Sequence, residues 1–390
     1  MTSRVSAIWL PTVWLFLFVA TVMMSGAVAL AEGTQEDQSV LSLEQSIAIA
    51  LERNLEIQVA QEEVLAAQDL KKEATTAFLP SLKAEYTYRR PSEVPYVVFE
   101  GRKIDFADRN QYRFTGTIEQ PLFTGFANLS NYQLAKLGLD VAKIQLTQVR
   151  FDLVLQVKEA YFEILTAERI KEVAEQSVEQ LQAELKTAQN FYDVGMSPKI
   201  DVLDAEVRLA EAEQQLIRTE NALRIAKASF NTILRRSIDE EVEVEDILSY
   251  KPYDKPYASC LEVSLKNRPE LMEGEKNVAS AEKEIALAKS AYYPTLSLSS
   301  NYYRAGDDPS VDGSEFEDRE NWDIMAAASI TFFEWGKTRF AANQKKARLR
   351  QAEEALEQIK DAVRLDVKTS YLNLQAAEEN ISVAKKSVGS

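Results

Sequence analysis

Residues Leu51–Pro80 read LERNLEIQVAQEEVLAAQDLKKEATTAFLP, and about 210 residues later Leu265–Pro294 read LKNRPELMEGEKNVASAEKEIALAKSAYYP, a period that suits a duplicated subdomain and is too long for a solenoid. Both are helical patterns ending in proline, and they align at one constant offset. Further along, Pro121-Leu-Phe-Thr-Gly125 is answered by Thr331-Phe-Phe-Glu-Trp-Gly336, and Val157-Lys-Glu-Ala-Tyr161 by Val367-Lys-Thr-Ser-Tyr371. The expected organisation is a first repeat over 32–257 and a second over 258–390. The second repeat reaches only Gly389-Ser390, the counterpart of Glu179-Gln180, before the equivalent of the first repeat's turn and return helix. Either the chain is cut short there or the protein does without the second hairpin's tip and return helix. Truncation is the expectation, because an unpartnered apolar helix seam would otherwise lie open to water.

The amino terminus carries Arg4, an apolar stretch from Ile8 to Met24, and Ala29-Leu30-Ala31. That order of charge, apolar core and small residues predicts a signal peptide over 1–31, cleaved before Glu32. An uncleaved anchor is the alternative, since the apolar run approaches spanning length. No comparable run follows Glu32, so the mature chain is not expected to cross a membrane as helices.

Cys260 is the single cysteine of the 390 residues and there is no histidine. An intramolecular disulfide is excluded, and the commonest general base and metal ligand is missing. Carboxylates are plentiful but no pair stands out by spacing, so neither catalysis nor a cofactor or metal site is expected. The net charge of −16 disfavours nucleic acid. The acidic residues are scattered among Lys and Arg on helical segments, as on solvated helix faces. An acidic lumen favouring cations is the other reading.

From Phe126 to Tyr192 there is no proline, Gly138 is the one glycine, and Leu, Ala, Glu, Gln and Lys dominate. One helix of that length would reach roughly 100 Å at ~1.5 Å per residue and must project as a rod. Tyr192-Asp-Val-Gly-Met-Ser-Pro198 then predicts a turn. Gly195 serves as left-handed cap, Ser197 as N-cap, Pro198 as first helical residue, and Asp201 faces the positive helix end. A second rod runs to about Arg236, with Val202, Leu203, Ala205, Leu209, Ala212, Leu216, Leu223 and Ala226 near coiled-coil spacing.

Elsewhere the period is two. Leu82, Ala84, Tyr86 and Tyr88 alternate with Lys83, Glu85, Thr87 and Arg89; Tyr112, Phe114, Gly116 and Ile118 alternate with Arg113, Thr115 and Thr117. In the second repeat Leu296, Leu298 and Tyr302 alternate with Thr295, Ser297 and Asn301, and Trp322, Ile324, Ala326, Ala328, Ile330 and Phe332 form the cleanest run. Runs of this length suit tilted transmembrane strands with one face to lipid and one to a lumen. A half-buried sheet would alternate in the same way. Four strands cannot close a wide barrel, and the helices already pair with each other. The expected solution is a barrel shared among protomers, polar face inward, with Pro91–Asn110 and Ala305–Asn321 as external loops.

LSLEQSIAIALERNLEIQVAQ and ASCLEVSLKNRPEL, the junctions Leu79-Pro80-Ser81 and Tyr293-Pro294-Thr295, the turns QPLFTG and FFEWGK, and the tip FYDVGMSPKIDVLDAEVRLAEAE together resemble the TolC-like outer-membrane efflux proteins from about Leu41 onward. The resemblance implies a mixed α and β fold, mostly long helices. It also implies a homotrimer whose four strands per chain form a twelve-stranded outer-membrane barrel continued by a periplasmic α-helical barrel. It further implies a passive duct that receives substrate from an inner-membrane transporter through a periplasmic adaptor docked at Val194, Gly195, Met196, Ser197 and Pro198. The competing expectation is a soluble periplasmic coiled-coil adaptor or spacer, with a periplasmic enzyme third.

Overall fold

The computed structural model describes residues 40–388, so the expected signal peptide lies outside the described residues. The first repeat comprises α1 (Leu43–Arg53), α2 (Leu55–Thr76), β1 (Ser81–Arg89), β2 (Tyr96–Phe99), β3 (Arg102–Asp105), β4 (Gln111–Thr124), α3 (Ala127–Asp193) and α4 (Lys199–Ile233). The second comprises α5 (Tyr257–Asn267), α6 (Pro269–Lys289), β5 (Thr295–Gly306), β6 (Glu320–Ser329) and α7 (Lys337–Val388).

The paired helices of the two halves break in the same way. Between α1 and α2 sits Asn54 in extended conformation (φ −68°, ψ 132°), and between α5 and α6 sits Arg268 (φ −66°, ψ 125°). Asn54 Oδ1 accepts from the backbone N–H groups of Glu56 and Ile57 at 2.7 and 3.4 Å, satisfying donors a helix start leaves free. At the second break Pro269 takes the first helical position, where its missing N–H costs nothing. The strand-to-helix turns match as well. Gly125 and Phe126 have φ +61° and +69°, and Trp335 and Gly336 have +56° and +83°. Thr124 Oγ1 accepts from Asn128 N at 3.2 Å, and Glu334 Oε1 from Thr338 N at 2.9 Å.

α3 is 67 residues long and folds back on α4 as expected. Along α4 the inward residues are Val202, Ala205, Leu209, Ala212, Leu216, Thr219, Leu223, Ala226 and Phe230, alternating steps of three and four. They oppose Ala174, Val178, Leu181, Leu185 and Ala188 of α3. Leu203 falls outside this seam and is exposed, which corrects its expected place in it. Ion pairs Arg208–Glu184 (3.0 Å) and Lys227–Glu168 (3.5 Å) cross the hairpin.

The main core lies where α1, α3, α4 and the segment 242–244 meet, around Ala50, Leu153, Val157, Tyr161, Ile164, Phe230, Leu234 and Val242. Tyr161 is fully buried, and its hydroxyl donates to the carbonyls of Leu41 (3.0 Å) or Glu245 (2.8 Å) across the Leu41–Val244 bridge. Burial, first, pushes this hydroxyl's pKa upward. The second core is smaller, built on Leu271, Val363 and Val367. Tyr371, the counterpart of Tyr161, is only half-buried there, with its ring 5.7 Å from that of Tyr257. α6 ties the repeats together through Lys276–Asp140 (2.9 Å) to α3 and Lys345–Glu284 (2.8 Å) to α7.

β1, β4, β5 and β6 form one antiparallel sheet in the order β1-β4-β5-β6. Three boundaries differ from expectation. β4 runs on past Pro121 to Thr124, with a register shift between Pro121 and Phe123 that leaves Leu122 as the extra residue; a bulge is where a strand tolerates proline. β6 stops at Ser329, so Ile330 and Phe332 lie beyond the paired strand. The expected loop at Pro91–Asn110 contains the hairpin β2–β3, and Ala305, Gly306, Glu320 and Asn321 belong to strands.

Candidate channel wall and helical tip

Register decides which side chains share a face. Lys83 lies opposite Thr117, Glu85 opposite Thr115, Thr87 opposite Arg113 and Arg89 opposite Gln111. Thr117 faces Asn301 and Pro121 faces Ser297, while Asn301 faces Asp323 and Thr295 faces Ser329. All ten residues expected to line a lumen therefore stand on one side of the sheet: Lys83, Glu85, Thr87, Arg89, Arg113, Thr115, Thr117, Thr295, Ser297 and Asn301. On the other side, Leu82 pairs with Ile118, Tyr86 with Phe114, Tyr88 with Tyr112, Leu296 with Ala328, Leu298 with Ala326 and Tyr302 with Trp322; Ile324 shares that side. Of the expected lipid-facing set only Ile330 falls off the sheet, because β6 ends one residue before it.

The polar face is tied together by side chains. Thr117 Oγ1 donates to Asn301 Oδ1 and Asn301 Nδ2 donates to Asp323 Oδ1, both at 2.9 Å, and Lys83 pairs with Glu85 at 3.3 Å. The sequence reading missed Gln111, Glu119, Ser299, Tyr303 and Asp323 on this face, although the same alternation continued one step would have reached each of them. Its charges balance, with Lys83, Arg89 and Arg113 against Glu85, Glu119 and Asp323. The acidic excess of the chain therefore lies off this wall. The apolar face carries aromatic contacts, with the rings of Tyr88 and Tyr112 at 4.7 Å and those of Tyr86 and Tyr112 at 6.5 Å.

At the end of the sheet away from the helices, the β5–β6 loop folds over the rim on both sides. Tyr86 donates to Pro309 O at 2.8 Å and Arg304 pairs with Asp312 at 2.6 Å on the apolar side, while Arg113 pairs with Glu317 at 2.8 Å on the polar side. All four helix connections leave from the opposite end. Among the described residues no helix is stacked on either face of the sheet, and β1 and β6 keep free edges.

The α3–α4 tip closes with two hydrogen bonds, Gly195 N to Tyr192 O (2.9 Å) and Met196 N to Phe191 O (2.8 Å), with Gly195 at φ +76°. This pair of bonds is the Schellman arrangement that satisfies the last carbonyls of a helix. The start of α4 differs from expectation by one residue. Pro198 is the N-cap (φ −74°, ψ 157°) and Ser197 Oγ makes no hydrogen bond, because the extended ψ of Pro198 keeps it outside the helix. Asp201 stands in the first turn as expected. Val194 and Met196 are 69% and 74% exposed, with Ile200, Phe191 and Tyr192 beside them, so the tip presents an apolar knob to its surroundings. No described helix is long and apolar enough to cross a membrane, and no described group of His, Cys, Asp and Glu could hold a metal ion.

Comparison with known proteins agrees with this geometry. The chain is 20% identical over 378 residues to the outer membrane efflux protein BepC of Brucella suis biovar 1, covering 95% of this chain and 77% of BepC. It is 24% identical over 324 residues to the alkaline protease secretion protein AprF of Pseudomonas aeruginosa, covering 80% of this chain and 65% of AprF. The fold is similar to that of CusC, whose structures describe transmembrane channel formation, with a TM-score of 0.74 at 17% identity over 88% of this chain and 78% of CusC. Residues 46–234 and 260–390 match the profile of outer membrane efflux proteins, and the chain belongs to that family.

Proposed function

We propose that this chain is the outer-membrane exit duct of a tripartite efflux or type I secretion assembly. Three copies join their four-stranded sheets into a twelve-stranded barrel, with the Lys83–Asn301 face to the lumen and the Leu82–Trp322 face to lipid. Their helices continue the conduit into the periplasm. The tip at Val194–Pro198 docks a periplasmic adaptor, which links the duct to an inner-membrane transporter. The chain carries out no chemistry of its own, and substrate choice rests with the transporter.

The observation that carries this reading is the sheet. It has one polar and one apolar face, free edges on both sides, no layer packed on it, and helices leaving from one end only. Unpaired edges are untenable for an isolated sheet in lipid and closure with further copies removes them, while lipid itself covers the apolar face. A soluble spacer would need a packed layer over Tyr86, Tyr112, Leu298 and Trp322, which the described residues do not provide.

The reading is tested by reconstituting the purified, refolded protein in planar bilayers, where stepwise ion conductance is expected. A heat-modifiable trimer that never conducts would overturn the duct. Recovery of the chain in the soluble periplasm on fractionation would instead favour the spacer.

A further inference from the structure

On the polar face one rung of the sheet runs Lys83, Thr117, Asn301, Asp323. Its last two steps are bridged by side-chain hydrogen bonds of 2.9 Å. The rung ends at a carboxylate on the free edge of β6. Among the described residues Asp323 takes part in no ion pair. Arg89, at the far end of the opposite free edge, takes part in none either, whereas on the same face Lys83 pairs with Glu85 and Arg113 with Glu317.

In a closed barrel of copies, β6 of one copy lies beside β1 of the next, and strand tilt displaces each rung as it passes around. With strands ~4.8 Å apart, tilted by ~35–45°, the four steps of one protomer shift a rung by roughly 13–19 Å, or about four to six residues at ~3.3 Å each. A shift toward the helical end would set Asp323 beside Ala77 or Leu79, which belong to the end of α2 and its turn and not to a strand. The shift therefore runs from Lys83 toward Arg89. Only even displacements keep polar residues opposite polar ones. Two partners remain for Asp323, namely Thr87 and Arg89, and directly opposite charges favour the second.

We propose that Asp323 forms an ion pair with Arg89 of the neighbouring copy on the lumen side, and that this pair sets the register of the seam between protomers. The register it selects places Lys83 opposite Ser329 and Glu85 opposite Ala327, so no like charges meet. On the apolar side it places Tyr88 opposite Ile324 and Leu82 opposite Ile330. Ile330, which has no strand partner within its own chain, thereby rejoins the lipid-facing row.

This inference rests on the barrel reading, and its test separates the two. In a Cys260→Ser background, Arg89→Cys with Asp323→Cys is compared with Thr87→Cys with Asp323→Cys. Outer-membrane fractions are oxidised with copper phenanthroline, heated and run without reductant. Directly opposite strand residues are within disulfide reach. A covalent trimer from the Arg89 pair, with none from the Thr87 pair, is the expected result. The reverse result, or a heat-dissociable trimer in which neither pair crosslinks, overturns the ion pair and leaves the barrel standing. A parent chain that forms no trimer overturns both. Charge reversal gives a second readout: Arg89→Asp and Asp323→Arg each lower the temperature at which the trimer dissociates, and the double reversal restores it. A double variant as labile as either single one would also overturn the pair.

Discussion

At the residue scale, three positions convert geometry into measurable stability. A Cβ placed on Gly125 would lie 2.4 Å from the Ser290 carbonyl oxygen, in a backbone conformation (φ +61°) that side chains disfavour. Gly125→Ala is expected to lower unfolding stability in detergent by about 1–3 kcal/mol from the backbone conformation, with the clash adding to it. Tyr161→Phe removes the hydroxyl that closes the Leu41–Val244 bridge over the core and is expected to cost about 1–2 kcal/mol, with faster amide hydrogen exchange at Leu41 and Glu245. Glu240 pairs with Arg236, whose hydrogen bond, first, holds its carboxyl below the usual range. A depressed folded-state pKa means that the contribution is complete above the ordinary Glu value of ~4.3 and fades as pH falls through the lowered one. Melts of the parent and of Glu240→Gln should therefore differ by a constant amount at neutral pH and converge in acid.

At the scale of elements, the α3–α4 hairpin is a two-helix seam with regular steps of three and four, and the seam assigns different fates to neighbouring leucines. Leu209 points into it, and Leu209→Asp is expected to lower the hairpin's stability by about 2 kcal/mol or more, since an unpaired carboxylate would be desolvated. Leu203→Asp, on the exposed face, should change it by no more than ~0.5 kcal/mol. Circular dichroism melts and proteolysis near Gly195 distinguish the two. The sequence showed the apolar period but could not separate Leu203 from Leu209, because both fit a helical stripe until α3 is present to define its centre. The same limit applies to Ser197, a good N-cap by type that the extended ψ of Pro198 leaves one residue outside the helix. β4 shows the reverse case. QPLFTG was expected as a turn, yet a bulge after Pro121 carries the strand three residues further.

At the scale of the whole molecule, the duplication, the two kinds of period and the rod lengths were legible in the residues, because each depends on local spacing. So was the partition of the strands into polar and apolar sets, since alternation is a property of one strand at a time. On the adaptor docking proposed for the tip, replacing the exposed Met196 with Asp is expected to reduce substrate export at least several-fold with trimer yield unchanged, measured as efflux in cells, because docking would bury an unpaired carboxylate. What the sequence by itself determined was that long helical rods stand beside runs of period two, and that its own pattern recurs about 210 residues on. Only the tertiary structure decided that four separate alternating runs add their polar sides to a single face, that Asp323 ends a hydrogen-bonded rung at a free edge, and that Tyr161 is locked while Tyr371 is not. Register and burial arise from segments far apart in the chain meeting in space, and no local period records which residues meet.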